Sequence, residues 1–363
     1  NAPLRKTLQE LFLTRFGGQS IDYRLALGET DTARLHFTVW VASGDVPDVS
    51  IQELEAEVVA AAQTWEERLG EELTAHLGAE LSTALIEEWA GRFPNYYKSS
   101  TPLNIARGDI QMLDELIRAP HGGPVVGLQN ETSGDTPYTR LAVYRADGKL
   151  ELSEIMPILE ALGLRVVEEV PTRLTGNQVI HIHDFGVTDA EGRVLDLDLV
   201  GDRVAATIAA VLVGDAESDS LNRLILTGGL DHRQVRILRA YRTYWQRVAP
   251  GFTVEYVNDA FAAHPGIAAD LVQLFSLRFD PERADEDATA IEARIHLNLD
   301  QVASLDEDRI LRGFLGLITA TQRTNAYRNG ADRLAFKFHS RDVPAMPEPA
   351  PLYEISVYAT DIE

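Results

Sequence analysis

Apolar residues recur along the chain with the periods of helices and strands, and the two patterns alternate in blocks. The first block is a predicted helix with an apolar face: Leu4, Leu8, Leu11 and Phe12. Two strands are predicted next, over residues 21–27 and 34–41. A helix with two strands buries too little surface to be stable alone. We therefore expect residues 1–45 to be the C-terminal part of an incomplete module, and the chain to be a piece of a longer protein.

A helical pattern follows. Ser50 and Glu53 have the spacing of a capping box, and apolar residues then repeat at helical spacing: Leu54, Val58, Trp65, Leu69, Leu73 and Leu77. A second helix is predicted over 79–92, before Pro94. The many glutamates here could form a cation site, but such density is more typical of solvated helix faces. We assign residues 46–103 to a helical motif without a metal site.

Residues 104–190 predict a small mixed unit. Strands are expected over 140–145, 164–170 and 178–185, and helices over 153–162 and 202–213, with Ser153 as the first helix cap. The apolar face of that first helix is Ile155, Ile158, Leu159 and Leu162. Strand, helix, strand, strand, helix is the order of a ferredoxin-like sandwich. The predicted fold class is therefore α+β, with antiparallel sandwich modules alternating with all-helical segments.

The C-terminal half is predicted to be mostly helical. Asp231 with Gln234 and Ser304 with Glu307 have the spacing of helix caps, and we assign residues 191–330 to a second helical motif. Strand-like runs over 334–338 and 353–358 flank a proline-rich connector. Because proline stiffens such segments, residues 331–363 are expected to be an extended linker.

Composition narrows the choice of partners. The chain has 33 Lys and Arg against 56 Asp and Glu, a net charge of −23, which argues against nucleic acid and anionic membranes as partners. No apolar run approaches the roughly 20 residues that span a bilayer. The absence of cysteine excludes disulfides, thiolate nucleophiles and Cys-ligated zinc, and suits a reducing compartment. A cytoplasmic location is expected.

Two clusters are candidates for chemistry. His181 and His183 face the same side of a predicted strand, as a metal pair would, but Asp184 points the other way and no third ligand is visible. We favour the interpretation that the two histidines are polar residues on the more solvated face of an antiparallel sheet. The second cluster is a basic helix: Arg233, Arg236, Arg239, Arg242 and Arg247, interleaved with Tyr241, Tyr244 and Trp245. Ion pairing with acidic helices is favoured there over single-stranded nucleic acid, an anionic ligand or a neighbouring subunit.

The glycines predict turns rather than a phosphate cradle. No G-x-G-x-x-G or P-loop frame occurs, so we predict no cofactor-binding residue. No nucleophile–base pair or paired acids can be assembled, so no catalytic residue is predicted either. The turn containing Asp147 and Gly148 could approach a small ligand through its backbone, and these two residues are the candidate effector loop. A plain strand-to-helix connection is the alternative.

Six stretches carry a family resemblance: LQELFLTRFGGQSIDYRLALGETDTARLHFTVWV from Leu8, LSEIMPILEALGLRVVEEVPTRL from Leu152, IHDFGV from Ile182, LNRLILTGGL with VRILRAYRTYW from Leu221, HPGIAADLVQLFSLRFDP from His264 and SLDEDRILRGFLGLITATQRTNAY from Ser304. In this order they resemble the large bacterial NAD-specific glutamate dehydrogenases. The closing LAFKF and PLYEISVYATDIE resemble the segment that leads into that family's catalytic domain.

The resemblance implies a non-catalytic N-terminal region. The family's catalytic lysine and aspartate and its nucleotide-binding glycines lie downstream of this segment, so no such residue is carried over. Residues 1–45 and 104–190 would be ACT-like modules, associated with amino-acid sensing, and the helical motifs would lie between and after them. The parent would oxidise L-glutamate with NAD as a homo-oligomer, expected to be a tetramer, whereas the fragment itself would hold no cofactor.

Two functions follow for the fragment. It is expected to be a scaffold that holds subunits together, through sheet edges, acidic helix faces and the arginine helix. The alternative is an effector-binding module, with an amino acid bound near Asp147 and Gly148. An enzyme in its own right is not supported, because no catalytic arrangement is visible.

Overall fold

The computed structural model describes residues 2–27, 33–42, 47–118, 123–131, 137–146, 148–328 and 333–359. These form two compact units, residues 1–91 with 100–107 and residues 92–99 with 108–363. The fold is mixed, with helices and three antiparallel sheets. The predicted α+β class is therefore confirmed.

The first unit opens with helix α1 (Ala2–Arg15) on a two-stranded antiparallel sheet, β1 (Ser20–Leu27) and β2 (Ala33–Trp40). The rings of Phe12 and Phe37 lie 5.0 Å apart, which places α1 on one sheet face. At Gly18 a Cβ would lie 2.4 Å from Val39 Cγ1, so the turn after α1 needs glycine to approach the sheet.

The remaining helices of the first unit are α2 (Ile51–Ala62), α3 (Trp65–Leu77) and α4 (Ala79–Trp89). The prediction of one helix through residues 51–77 is wrong. Thr64 and Glu67 form a reciprocal capping box that begins a new helix, whereas Ser50 accepts only the N–H of Glu53. The core of this segment is apolar: Trp65, Leu69, Leu73, Leu85 and Trp89.

The second unit contains α5 (Asn95–Ser100), most of α6 (Leu103–Arg118) and a four-stranded antiparallel sheet. Its further elements are β3 (Val125–Glu131), β4 (Tyr138–Arg145), α7 (Leu152–Ala161), β5 (Arg165–Leu174), β6 (Ile180–Thr188) and α8 (Leu197–Leu212). The strand order is β3-β4-β6-β5. The predicted run from β4 to α8 is present, but β3 was missed. β3 precedes β4 in the chain and pairs with β4 at the edge of the sheet. In a ferredoxin-like fold this edge position is occupied by the last strand of the module.

Helices cover both faces of this sheet. Leu141 and Phe185 are opposite one another on the face that carries α7 and α8. On the other face, Tyr144 of β4 bonds to Asp109 of α6. Residues 139–144 of β4 are consequently buried on both sides. The predicted apolar face of α7 is confirmed, but its N-cap is Glu151, and Ser153 lies within the helix.

The rest of the second unit is largely helical: α9 (Arg223–Thr227), α10 (His232–Val248), α11 (Val254–Ala263), α12 (Pro265–Phe279), α13 (Thr289–Leu299) and α14 (Leu305–Ala320). A reciprocal box between Asp231 and Gln234 caps α10, and Ser304 accepts the N–H of Glu307 at α14. Both predicted helix starts are confirmed, but only Asp231 with Gln234 forms the complete box, since no return bond from Glu307 to Ser304 accompanies the first.

A three-stranded antiparallel sheet follows, in the order β7 (Thr321–Thr324), β8 (Leu334–His339), β9 (Tyr353–Tyr358). Phe336 and Phe338 are fully buried and stack on Tyr241 and Tyr244 of α10, at 4.4 and 4.3 Å between ring centroids. The predicted strands are confirmed, but they belong to a packed core, so the expectation of an extended linker is corrected. The boundaries of the five predicted domains stay predictions.

No single helix of the described ranges has the length and apolar composition to cross a membrane. The pair α11 and α12 meets these criteria only when taken together, and the two helices are bent by 97°.

Candidate functional site

The predicted effector loop joins β4 to α7. Asp147 lies outside the described residues. Gly148 is exposed, with φ of 136°, and nothing lies within 4 Å of where a Cβ would be. Positive φ favours glycine at this point. The backbone of the turn is therefore open on the side of Gly148.

His183 of β6 anchors the end of this loop. The ring is 1% exposed, and Nε2 accepts the backbone N–H of Leu150 at 3.1 Å. Because Nε2 accepts, Nδ1 carries the proton and donates to Glu169 Oε1, also at 3.1 Å. The imidazole is thus held between a backbone amide and a carboxylate.

The neighbouring imidazole has a different environment. His181 lies on the same face, 6.2 Å from His183 between centroids, and burial with the charges of nearby residues lowers its pKa. Asp184 belongs to the opposite face, where it bonds to Arg140, as the alternation of the strand predicts. Among the described residues no three His, Asp or Glu side chains form a group that could hold a metal ion.

A buried ionic network ties α6 to the sheet. Arg140 donates from Nη1 and Nη2 to Asp109 at 2.9 and 3.1 Å, and from Nε to Asp184 at 2.5 Å. Tyr97 and Tyr144 also donate to Asp109, so that this fully buried carboxylate accepts four hydrogen bonds. Burial raises the pKa of Asp184 to about 6, although the Arg140 charge opposes the shift. Sequence reasoning missed this network because its members are far apart in the chain.

The arginine helix, α10, forms a second network. Arg239 donates to Asp219 from Nε and Nη2, at 3.0 and 2.8 Å, and Arg242 donates to the same carboxylate at 2.8 Å. Burial disfavours the Asp219 carboxylate, but the hydrogen bonds from Arg239 and the charges of both arginines more than offset it, and its pKa is held at about 2. The predicted ion pairing is confirmed for Arg239 and Arg242, with the difference that their acidic partner lies in the loop after α8.

The same helix holds the C-terminal sheet. Tyr244 donates to Glu354 of β9 at 2.7 Å. Tyr358, at the other end of β9, donates to Glu217, which lies 3.6 Å from Arg239 Nε. Both ends of β9 are thereby attached to α10 or to its network. No sequence signal marked these contacts, since the partners are more than 100 residues apart.

The described sheets are not of the type that carries the common dinucleotide fingerprint. That fingerprint places the dinucleotide at a glycine-rich turn between a strand and a helix of a parallel sheet. The three sheets described here are antiparallel. The chain therefore offers no cradle of that type within these ranges.

Comparison with known proteins identifies the parts of the chain. Profiles of glutamate dehydrogenase match residues 1–66 (ACT2 domain), 127–200 (ACT3 domain) and 216–281 (helical motif 3). The profile of the bacterial NAD-glutamate dehydrogenase catalytic domain matches residues 294–363. The last match begins within the predicted second helical motif and includes α14 and the C-terminal sheet.

The curated relatives agree with these profiles. NAD-specific glutamate dehydrogenases from Pseudomonas aeruginosa and Halomonas elongata are 33% and 32% identical over 99% of this chain. The one from Mycobacterium tuberculosis is 28% identical over the same share. The chain spans only 23–24% of the length of these relatives.

The fold and the profiles thus define a multi-module region with ACT domains and helical motifs. The chain belongs to the bacterial NAD-glutamate dehydrogenase family. It corresponds to a fragment of the length of its relatives. The resemblance drawn from the sequence blocks is confirmed.

Proposed function

We propose that this chain is the regulatory and oligomerisation region of an NAD-dependent glutamate dehydrogenase. The parent enzyme would convert L-glutamate, NAD and water to 2-oxoglutarate, ammonium and NADH. The fragment itself acts as a non-catalytic scaffold and holds no cofactor. The names of the relatives and the ACT and helical-motif profiles support this function.

One structural observation carries the proposal. Tyr244 and the Arg239 network belong to the segment matched as helical motif 3, whereas Glu354 and Tyr358 belong to the segment matched as catalytic domain. Two hydrogen bonds and the aromatic stack of Tyr244 on Phe338 therefore join the two segments. A scaffold that positions the first sheet of a catalytic region needs contacts of this kind.

The same proposal covers assembly and location. The parent is a homo-oligomer, a tetramer, in the cytoplasm. The absence of cysteine supports a reducing compartment. The buried arginines Arg239 and Arg242 are engaged within the chain, so subunit contacts would use other surfaces, such as sheet edges and acidic helix faces.

Substitution of Tyr244 in the full-length parent tests the scaffold. Tyr244→Phe with Tyr358→Phe removes both hydrogen bonds to the carboxylates but keeps the rings. We expect slower NADH production and a weaker oligomer on sizing with light scattering. Tyr256→Phe is the control, because Tyr256 is partly exposed and stacks on Phe252. Unchanged activity and assembly of the double variant would refute the scaffold role.

The isolated chain provides a second test. We expect it to show no NAD binding by calorimetry and no glutamate turnover, since the described sheets lack a parallel strand–turn–helix cradle. Saturable NAD binding would contradict the assignment of the fragment as non-catalytic.

A second candidate function is amino-acid sensing at the β4–α7 loop. The open backbone at Gly148, anchored beyond it by His183, favours this candidate. A ligand at 100 times its dissociation constant adds about 2.7 kcal/mol to stability, which a thermal-shift panel of amino acids would detect. Gly148→Val is not decisive, because φ of 136° strains any side chain there whether or not a ligand binds.

A further inference from the structure

The C-terminal sheet has one face that packs on the core and one face that does not. On β9 the inward side chains are Glu354, Ser356 and Tyr358, of which the last two are each 8% exposed. The outward side chains alternate with them along the strand. They are all large and apolar: Tyr353, Ile355 and Val357, which are 49%, 65% and 48% exposed. One strand therefore presents a row of apolar side chains to solvent.

The outer face continues on β8 with Ala335, Lys337 and His339, each paired with an outward residue of β9. The Lys337 ammonium group lies 4.2 Å from the ring centroid of Tyr353, and Arg323 of β7 is opposite Lys337. Among the described strand residues of this face, Arg323 and Lys337 are the charged ones, while the carboxylate of Asp342 pairs with His339 in the turn after β8. The strands thus place apolar and basic groups on the outer face of a chain whose net charge is −23.

β9 is also the edge strand of this sheet. Its strand partner within the described residues is β8 alone, so alternate backbone N–H and C=O groups of β9 point away from the sheet. Soluble proteins protect such an edge with lysine, proline or a bulge. β9 reads YEISVY, pairs with β8 without a register shift, and turns its one charged side chain, Glu354, inwards to Tyr244. An edge of this composition pairs readily with another strand.

The comparisons indicate which part of the parent belongs beside this sheet. The catalytic-domain profile matches residues 294–363, which contain α14 and all three strands, whereas the chain spans 23–24% of the length of its relatives. Within the described residues, the helices that contact the sheet are α10 and α14, and Phe336 and Phe338 face them. A sheet with helices on one face and apolar side chains on the other calls for a second layer.

We infer that the rest of the parent's catalytic domain docks on β9. A further strand pairs with the free edge, and an apolar surface with carboxylates at its margin covers Tyr353, Ile355 and Val357. The inference rests on the proposed function, because it takes the parent to be an NAD-dependent glutamate dehydrogenase with most of its catalytic domain outside these residues.

A segment of the same chain is favoured over a second copy. Consecutive elements of a chain are usually neighbours in space, and a tethered segment has an effective concentration of about 1 mM. Glu354 and Tyr358 bond to Tyr244 and Glu217 on the inner side, while the catalytic domain covers the outer side. β9 then lies between the segment matched as helical motif 3 and the rest of the catalytic domain.

Hydrogen exchange of the full-length parent, read by mass spectrometry on peptides that contain residues 353–358, tests the pairing of the edge. We expect all backbone amides of β9 to be protected for minutes or longer. An open edge would leave about half of these amides to exchange within seconds, since alternate N–H groups point away from β8. That result would overturn the inference.

Photo-cross-linking identifies the occupant. Tyr353 is replaced by benzoylphenylalanine in the full-length parent, and the irradiated protein is separated under denaturing conditions and mapped by mass spectrometry. We expect a cross-link within one subunit, to a residue of the catalytic domain beyond residue 363. A cross-link that joins two subunits would assign the face to contact between copies, and the absence of any cross-link would show a free face. Either result contradicts the inference.

A matched pair of variants tests the apolar contact in the parent. Ile355 and Leu297, which is on α13 in the same profile match, are both 65% exposed in this chain. Ile355→Ser should speed exchange of the β9 amides about 10-fold to 100-fold, because it removes the burial of one isoleucine from the docked state. Ile355→Val should retain most of the protection, and Leu297→Ser should leave it unchanged. Equal effects of Ile355→Ser and Leu297→Ser would contradict docking on β9.

These readouts are separate from the test of the scaffold. Exchange and cross-linking need no catalytic activity, whereas the scaffold role is measured by NADH production and assembly of the variants at Tyr244 and Tyr358. A protected, cross-linked β9 in a parent whose tyrosine variants stay fully active would refute the scaffold role alone. An open β9 in a parent that those variants disable would refute the docking alone.

Discussion

His183 Nε2 and the backbone N–H of Leu150 are joined by a hydrogen bond of 3.1 Å, which ties strand β6 to the segment that enters α7. Leu150 is 1% exposed, so its amide has no access to water that could replace the imidazole. The two histidines that were considered as a metal pair therefore differ in their contacts. His183 holds the loop, and His181 remains beside it on the same face.

Substitution of His183 should loosen this loop. His183→Ala leaves the Leu150 amide buried without an acceptor, which costs about 1–3 kcal/mol of unfolding free energy. Urea denaturation measures the loss. His181→Ala is the control, with an expected change within about 0.5 kcal/mol, because that ring has no hydrogen bond among the described residues. Equal losses for both variants would contradict the anchoring role.

Leu159 should be one of the most sensitive core positions of the ACT-like module. The side chain is fully buried on the face of α7 that packs on the sheet and α8. Leu159→Ala should lower the unfolding free energy by about 2–5 kcal/mol through lost burial and the remaining cavity. Chemical denaturation checks the value, and a loss below about 0.5 kcal/mol would show that the packing face is wrong.

The Arg140–Asp109 pair should be strongly coupled. Arg140→Met leaves the fully buried Asp109 with the two tyrosines but no countercharge, at a cost of about 3–5 kcal/mol. The double variant Arg140→Met with Asp109→Leu should cost less than the sum of the single changes. Denaturation of all four proteins gives the coupling energy, and additive losses would show that the pair is not a unit.

Asp184 should make stability depend on acidity between pH 4 and 6. Its folded-state pKa, about 6, lies above the ordinary value of 3.8, so the folded protein binds the proton more tightly than the unfolded chain. Its contribution is greatest below pH 3.8 and is lost as the pH rises through about 6. Asp184→Asn should gain up to about 3 kcal/mol relative to the wild type across this range. Denaturation as a function of pH tests this, with exposed Asp198→Asn as the control. A constant difference between wild type and Asp184→Asn would contradict it.

Two glycines of the helical core should respond in opposite directions to alanine. At Gly313 of α14 a Cβ would lie 2.5 Å from Trp245 Cη2, so Gly313→Ala should destabilise by about 1–3 kcal/mol. Gly266, in the first turn of α12, has open space, and Gly266→Ala should stabilise by about 0.4–1 kcal/mol. Thermal unfolding compares the two. A stabilising Gly313→Ala would mean that α10 and α14 are not in close contact.

Caps and apolar spacing predicted helices correctly where both partners of an interaction lie within a few residues of each other in the sequence. The Asp231–Gln234 box began α10 as expected, and the apolar spacing of Ile155, Ile158 and Leu159 identified the buried face of α7. The same reasoning failed at Thr64. The apolar residues keep helical spacing across the boundary between α2 and α3, and this spacing predicted a single helix. The capping box of Thr64 and Glu67, which begins α3, was therefore overlooked.

The sequence by itself determined the α+β class, most helices and strands, and the family, because periodicity, caps and collinear blocks are properties of neighbouring residues. Only the tertiary structure decided that β3 lies beside β4 in the sheet and that Arg140 neutralises Asp109. It also decided that α10 holds one end of β9 while Glu217, in the loop after α8, holds the other. Charged and polar side chains pair with groups that are close in the folded protein. The partners in these pairs are 31 to 141 residues apart in the sequence, so no local periodicity or spacing indicates that they meet.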